Sequence, residues 1–177
     1  MEGGWEMRVE RIAEQARGDL RRTIGRYRIL HAGVPCRRLA GWTVEAPGPG
    51  DNRTPDNGLR IEAGAYPLTA SLSDNYATLG HVLSEDPGRS PKPCLGVGDT
   101  GARTWILVHP GDGFRISTGC INLAGELQTG QDDIGFGDSR DRVVALIEDL
   151  RAYLGPAFPA QNGRPLPGAR LVITGEP

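Results

Sequence analysis

The sequence predicts a mainly β fold, a small β-sandwich or partly closed barrel with two α-helices packed on the outside. Glycine contributes 26 of the 177 residues, about twice its usual ~7%, and there are 14 prolines. These residues divide the chain into short apolar or alternating segments, as in a sheet built from short strands. A hydrophobic content of 38% argues against disorder across the chain, and the length suits a single core.

Composition also limits the classes of partner. Lys and Arg together number 20, Asp and Glu 22, and the net charge is -2. Nucleic-acid binding needs a clustered basic excess, so no nucleic-acid partner is expected. No apolar run approaches the ~18 residues of a membrane span. Residues 1–18 are charged throughout and lack the apolar run of about 7–15 residues that marks a secretory signal. We therefore expect neither a signal nor a span.

The first predicted element is a helix from Glu6 to Ile24. Its apolar residues recur at steps of three and four, the spacing of one helical face. They are Val9, Ile12, Ala13, Ala16, Leu20 and Ile24. Gly18 weakens this pattern near its middle. We expect residues 1–25 to form a helix that packs on, or extends from, a single domain of residues 26–177.

The domain is expected to begin with a hairpin. Residues 26–31 alternate polar and apolar side chains, residues 32–35 turn, and residues 36–45 return as a second strand. Residues 46–58 are rich in Pro, Gly, Asp and Asn, and predict a loop that rims the active site. Further strands are predicted at residues 59–72, 81–83, 94–97 and 105–108.

The second predicted helix lies near the C-terminus. Asp138 or Ser139 is a suitable N-cap, and an apolar stripe continues to Leu154. Gly155 followed by Pro156 is typical of a helix end. Residues 170–174 predict a last strand, added at an edge of the sheet.

The chain has three cysteines, Cys36, Cys94 and Cys120, without Cys-x-x-Cys spacing. One disulfide between Cys36 and Cys94, with Cys120 free, is a possibility that the sequence leaves open. A zinc site is the weakest alternative, and its ligands would be His109, Cys120, Asp112 and His81. We expect no metal and no cofactor.

Candidate catalytic residues lie in the segment 105–123. An apolar run at 105–108 predicts a buried strand that ends at His109, and a Pro-Gly-Asp-Gly cluster turns the chain. The chain returns through Ser117 and Gly119 to Cys120. A thiol titrates near ~8.5 and needs help to become the reactive thiolate, which a nearby imidazole provides. Backbone N–H groups beside a glycine can stabilise an oxyanion. A cysteine that only packs as a small hydrophobe is the structural alternative.

His109 followed by Ser117-Thr118-Gly119-Cys120-Ile121-Asn122 resembles the catalytic signature of the L,D-transpeptidase superfamily. The short gap between histidine and serine is similar to that of a compact, phage- and bacterium-associated branch. Two upstream segments extend the resemblance over roughly residues 26–125. They are Trp42-Thr43-Val44-Glu45 and Ile61-Glu62-Ala63-Gly64-Ala65-Tyr66-Pro67-Leu68.

This resemblance implies a β-rich catalytic domain that performs cysteine-dependent acyl transfer on peptidoglycan stem peptides. Cys120 would be the nucleophile and His109 the base, Gly119 would help hold the oxyanion, and Ser117 would orient His109 or the substrate. Asp112, Arg115 and Asn122 are the substrate-binding residues expected from the same segment.

The outcome would be transpeptidation, carboxypeptidase activity or D-amino-acid exchange, and the sequence does not choose among them. Made in the bacterial cytoplasm without a signal, the enzyme is expected to reach the envelope by non-classical export. An antibacterial effector or a phage-associated wall enzyme would fit, and a secretion adaptor or immunity protein would then be a partner.

The same residues bear on other classes of cysteine enzyme. A papain-like peptidase is disfavoured because His109 precedes Cys120, and the segment around Cys120 lacks a caspase signature. From a different class, the chain is alternatively a non-catalytic peptidoglycan-binding or phage structural module that retains the fold.

Overall fold

The computed structural model describes residues 4–127, 132–159 and 162–177. Eight of its strands form a closed barrel in the order β1-β10-β4-β7-β8-β9-β3-β2. The barrel strands are β1 (Trp5–Arg17), β2 (Leu20–His31), β3 (Val34–Glu45), β4 (Gly64–Thr69), β7 (Leu95–Val97), β8 (Leu107–Pro110), β9 (Ile121–Ala124) and β10 (Pro165–Thr174). Two further strands, β5 (Tyr76–Ala77) and β6 (Lys92–Pro93), form a separate parallel two-stranded sheet. The helix α1 spans Phe136–Leu154. The mainly β prediction is confirmed, and the sheet is a closed barrel where a β-sandwich or partly closed barrel was expected.

The predicted N-terminal helix is wrong, because residues 5–31 form the hairpin β1–β2. Buried Trp5, Met7 and Val9 follow the two-residue repeat of a strand, whereas Ile12 is exposed. Gly18 has a φ of +57° and opens the short loop that reverses the chain. The hairpin belongs to the barrel sheet, so the division at residue 25 falls inside β2.

The remaining strands agree only partly with expectation. Predictions at 26–31, 36–45 and 94–97 overlap β2, β3 and β7. The predicted strand at 59–72 is shorter, since only Gly64–Thr69 pairs as β4, and residues 81–83 form no strand. The last strand is longer than predicted. It does not lie at an edge, because β10 pairs in parallel with β1 and antiparallel with β4, closing the barrel.

The C-terminal helix is confirmed, but its N-cap is not. α1 begins after Gly135 without a side-chain cap. The side chains of Asp138 and Ser139 accept hydrogen bonds from the backbone N–H groups of Gly125 (2.7 Å) and Gly111 (2.7 Å). The helix ends as predicted at Gly155, where φ is +53°. The structure therefore contains one α-helix within its described ranges, where two were expected.

The main core fills the barrel and extends under α1, which packs against β8 and β9. Leu146 and Leu150 of the helix are fully buried in the same apolar cluster as Val108 and Ile121 of the two strands. This packing anchors β8 and β9, the strands that carry His109 and follow Cys120.

A network of buried charges lies against the barrel strands and joins distant parts of the chain. The side chains of Arg11 and Glu45 are both completely buried and form a bidentate pair with distances of 2.8 and 2.9 Å. Arg60 pairs with Glu14 (2.8 Å), and Glu176 contacts both Arg11 and Arg60 at 2.8 Å. The network thereby ties β1 and β3 to the segments before β4 and after β10.

Among the residues that the structure describes, no helix has the length and apolar character needed to cross a membrane.

Candidate active site

The candidate site lies where two parallel strands meet. β8 and β9 pair with His109 opposite Asn122, and Cys120 directly precedes β9. Residues 111–120 connect the two strands and turn back across the end of the barrel. The main chain therefore carries His109 and Cys120 to the same region, although the two residues lie in different elements.

His109 and Cys120 line one pocket of about 390 Å³, here called the site pocket. Its wall is completed by residues from the 73–76 segment and from the 105–120 region. These residues are Ser73, Asn75, Tyr76, Trp105, Leu107, Ile116, Ser117 and Thr118. The pocket is large enough for a peptide side chain and its flanking amide groups, and it is open to solvent.

The His109 ring is held in one tautomer. Its Nδ1 lies 2.8 Å from the carbonyl oxygen of Pro110, which can only accept, so Nδ1 carries the proton. In the neutral ring Nε2 is then the basic nitrogen. The ring is buried, packs on Tyr76 with centroids 4.8 Å apart, and has its pKa lowered to about 4, chiefly by burial. At neutral pH His109 is therefore an uncharged potential base.

The Cys120 thiol is only partly exposed and has partners other than His109. Its S–H donates to the carbonyl of Trp105 (3.3 Å), and Sγ accepts from the N–H of Leu107 (3.4 Å). Within the described residues no hydrogen bond joins this thiol to His109. Burial raises the pKa of Cys120 to about 11, while the Leu107 N–H and the charge of Arg103 oppose that rise. Both groups are thus neutral at rest.

Ser117 and Gly119 shape the turn that presents the thiol. The buried Ser117 hydroxyl donates to the carbonyl of Cys120 (2.8 Å), and its hydrogen bond is not made to His109. A Cβ on Gly119 would overlap the guanidinium of Arg103, so only glycine allows this close approach. In the described part of the chain, the backbone N–H groups of Gly119 and Cys120 have no acceptor.

The three expected substrate-binding residues lie outside the lining of the site pocket. Asn122 is fully buried behind His109, where its Nδ2 donates to the His109 carbonyl (3.1 Å) and its Oδ1 has no partner among the described residues. Arg115 donates to the Ser117 carbonyl (3.2 Å), and Asp112 is exposed. The geometry therefore gives Asn122 and Arg115 supporting positions.

The sequence did not point to Tyr76, Trp105 or Arg103. The apolar run 105–108 predicted a buried Trp105, yet this side chain is 73% exposed and its φ of +58° is unusual for a bulky residue. That conformation accompanies the hydrogen bond from the Cys120 thiol to the Trp105 carbonyl. The strand itself begins two residues later, at Leu107. The positive φ of Trp105 could not be read from the sequence.

Comparison with protein-family models, with curated proteins and with solved structures finds no match to this chain.

Neither the Cys36–Cys94 disulfide nor the alternative zinc site is found among the described residues. Cys36, Cys94 and Cys120 are all free, so the Cys36–Cys94 disulfide does not form. Over residues 4–127, 132–159 and 162–177, no group of His, Cys, Asp and Glu side chains is arranged to hold a metal ion. Cys94 is fully buried and burial raises its pKa to about 12, the behaviour of a packing residue.

Proposed function

We propose that this chain is a cysteine-dependent acyl-transfer enzyme that acts on peptidoglycan stem peptides. The observation that carries the proposal is that Cys120 and His109 line one solvent-open pocket, with the Nδ1 proton of His109 donated to Pro110 so that Nε2 is the basic nitrogen. Nucleophilic catalysis by cysteine needs such a base within the same cavity. The substrate class rests on the resemblance of the segment 109–122 to the L,D-transpeptidase signature.

In the proposed first step, Sγ of Cys120 attacks the carbonyl carbon of the amide between an L-centre and a D-amino acid. The thiol proton passes to Nε2 of His109, which then protonates the leaving amine. The C–N bond breaks and a thioester forms. Water hydrolyses the thioester in a carboxypeptidase reaction, whereas an acceptor amine gives a cross-link or an exchanged D-amino acid.

The backbone around Cys120 supports stabilisation of the tetrahedral intermediate. The N–H of Cys120 has no acceptor among the described residues and belongs to a residue that lines the site pocket, so we propose it as a donor to the substrate oxygen. The N–H of Gly119 also has no acceptor among those residues, but Gly119 is buried and lies outside the lining of the site pocket. Ser117 fixes the Cys120 carbonyl at 2.8 Å and thereby restricts the orientation of this turn. Preorganised donors of this kind are usually the largest contribution to acyl-transfer catalysis.

Ionisation of the thiol has to accompany substrate binding. At rest the S–H donates to the Trp105 carbonyl, and the pKa values of about 11 for Cys120 and about 4 for His109 keep both groups neutral. Proton transfer therefore requires the thiol to turn from Trp105 towards His109. We expect the bound stem peptide to drive this rotation by filling the site pocket.

The test is mass spectrometry of purified peptidoglycan fragments incubated with the wild-type chain or with Cys120→Ala. We expect the wild type to release a terminal D-amino acid or to form a cross-linked dimer, and Cys120→Ala to do neither. Cys36→Ala is the matched control, since it removes a half-buried thiol outside the site pocket. Unchanged fragments with folded wild-type protein would reject the proposal.

A second candidate function is a non-catalytic peptidoglycan-binding or phage structural module. The observation that favours it is the resting thiol, which is neutral and bonded to Trp105. Purified sacculi would then bind wild type and Cys120→Ala equally, with no change in the mass of any muropeptide. Turnover that depends on Cys120 would exclude this alternative.

Because peptidoglycan lies in the cell envelope, the proposed enzyme acts there. Expression of the chain in the periplasm of a susceptible bacterium is expected to slow growth and to change stem-peptide composition. An immunity protein or a secretion adaptor would be the corresponding partner. Normal growth and an unchanged wall would count against an effector role.

A further inference from the structure

We propose that Arg103 is a positioning residue for Cys120, because its guanidinium holds the turn at residues 118–120 and places near the thiol a positive charge that has no ion-pair partner among the described residues. This inference deepens the proposed acyl-transfer function and rests on it for its biological meaning. The geometry itself is independent of which substrate the enzyme uses.

Backbone carbonyls hold Arg103 in place. Nη1 donates to the carbonyls of Asp51 (3.1 Å) and Leu59 (3.0 Å), and Nη2 donates to that of Thr118 (2.9 Å). The residue is only 5% exposed. These bonds join the loop after β3 to the turn that precedes Cys120, so the position of the thiol depends on the guanidinium.

Among the residues that the structure describes, no carboxylate forms an ion pair with Arg103. Buried Arg11 pairs with Glu45, and buried Arg60 pairs with Glu14 and Glu176. Over the described residues, Arg103 forms no ion pair and its bonds go to carbonyl oxygens. A buried cation without a counter-ion is costly, and an arginine cannot lose its charge by deprotonation. A thiolate that forms at Cys120 would supply the missing negative charge.

Arg103 and Cys120 also line a second cavity, which adjoins the site pocket through shared residues. A cavity of about 180 Å³, here called the side cavity, is lined by Asp56, Arg103, Thr104, Trp105, Ile106, Thr118, Gly119 and Cys120. Its residues include both Arg103 and the thiol, with Gly119 between them in the chain. Because Gly119 lacks a Cβ, Nη2 reaches a position that any other residue at 119 would fill.

The electrostatic effect has a definite direction. The positive charge of Arg103 lowers the pKa of Cys120, although burial outweighs it and the pKa remains raised, at about 11. The other titratable groups facing the thiol are His109 and Tyr76 across the site pocket, Asp56 at the side cavity, and Cys94. His109 is neutral at rest, so Arg103 is the cation that acts on Cys120. It exchanges no proton; the thiol proton still goes to His109.

The test measures Cys120 alkylation by iodoacetamide at pH 8, followed by peptide mass mapping, in wild type, Arg103→Gln and Arg103→Lys. At this pH the rate is proportional to the thiolate fraction, and lysine is still charged. We expect Arg103→Gln to react at least about tenfold more slowly, and Arg103→Lys to stay within about threefold of wild type. A purely structural role would slow both variants alike, and that result would overturn the proposal.

Arg60→Gln is the matched control, because it removes a buried arginine that lines neither the site pocket nor the side cavity. It should lower thermal stability without changing the alkylation rate of Cys120. If Arg103→Gln does not fold, Gly119→Ala provides the second variant. Its added Cβ displaces the guanidinium and is expected to slow alkylation in the same direction, and a wild-type rate in a folded Gly119→Ala would reject the inference.

Alkylation needs no peptidoglycan, so the two proposals fail separately. Slow alkylation of Arg103→Gln together with no wild-type turnover of stem peptides would reject the proposed function and keep the placement of Arg103. Normal alkylation of Arg103→Gln together with turnover would do the reverse.

Discussion

At the scale of single residues, burial more than any partner sets the protonation of the candidate site. His109 is buried at the end of β8, and this burial disfavours its charged form, although the hydrogen bond from Nδ1 to the Pro110 carbonyl acts in the opposite direction. Cys120 is disfavoured as a thiolate for the same reason. Both groups are therefore neutral at rest. Substrate binding has to change their surroundings before the thiol proton can pass from Cys120 to His109.

The buried His109 makes stability depend on pH. Its pKa is about 4 in the folded chain and 6.5 as the ordinary value, so between these values the unfolded chain binds more protons. Its contribution, on the order of 3 kcal/mol, is present above pH 6.5 and is lost as pH falls towards 4. Urea unfolding from pH 7 to pH 4 should show this loss in the wild type and not in His109→Gln.

His81→Gln is the control for that measurement, since His81 is half-buried and lies outside the site pocket. It should keep the wild-type pH dependence. Identical pH profiles for wild type and His109→Gln would contradict the assignment of this effect to His109.

At the scale of elements, the connection between β8 and β9 depends on contacts with other parts of the fold. The N–H of Gly111 donates to the Ser139 hydroxyl of α1, and both groups are buried. The Phe114 ring lies 4.1 Å from the guanidinium of Arg22, which also donates to the Phe114 carbonyl (3.0 Å). The helix and the N-terminal hairpin therefore hold the first half of the connection that leads to Cys120.

Ser139→Ala is expected to destabilise the chain by about 1–3 kcal/mol, because it leaves the buried Gly111 N–H without an acceptor. It should also slow Cys120-dependent turnover, since the turn becomes less fixed. Chemical denaturation and the muropeptide assay measure the two effects. Glu148→Ala, at an exposed position of the same helix, should change neither; equal stability of Ser139→Ala and Glu148→Ala would contradict the role of this contact.

The elements also show what a sequence pattern can and cannot predict. The period-two strands at 26–31 and 36–45 and the Gly155 helix end were predictable, because local backbone preferences determine them. The segment 6–24 contains both helical and strand spacing. In the strand, Arg11 occupies a buried position because it pairs with Glu45, which lies far along the chain. Such long-range pairing has no local signal.

The residues of the candidate site were likewise predictable only in part. The spacing from His109 to Cys120 indicated that the two residues share a site, and they do line one pocket. The supporting residues were not predictable, because Arg103 is bound by carbonyls at residues 51, 59 and 118, and any residue type supplies those. Asp138 and Ser139 were expected to cap α1 and instead bind Gly125 and Gly111.

At the scale of the whole molecule, the buried charge network contributes to the closed barrel. Glu45→Gln should lower the free energy of unfolding by about 3–5 kcal/mol, because the charge of the fully buried Arg11 is then only partly compensated. Glu176→Gln should cost less, since that side chain is 45% exposed. Urea unfolding would measure both effects.

Asp133→Asn provides the comparison for these variants. Its ion pair with Arg17 is largely exposed, and its loss should change stability by less than about 1 kcal/mol. A Glu45→Gln variant no less stable than Asp133→Asn would show that the buried pair does not hold the barrel together.

The parallel pairing of β1 with β10 has a consequence for the order in which the molecule is made. A ribosome delivers residues 5–17 long before residues 165–174, yet these two strands are neighbours. While His109 and Cys120 are being synthesised, the edge of β1 that later pairs with β10 is therefore still unpaired. Such distant pairing makes folding slow, and the barrel closes only after residues 165–174 have been translated.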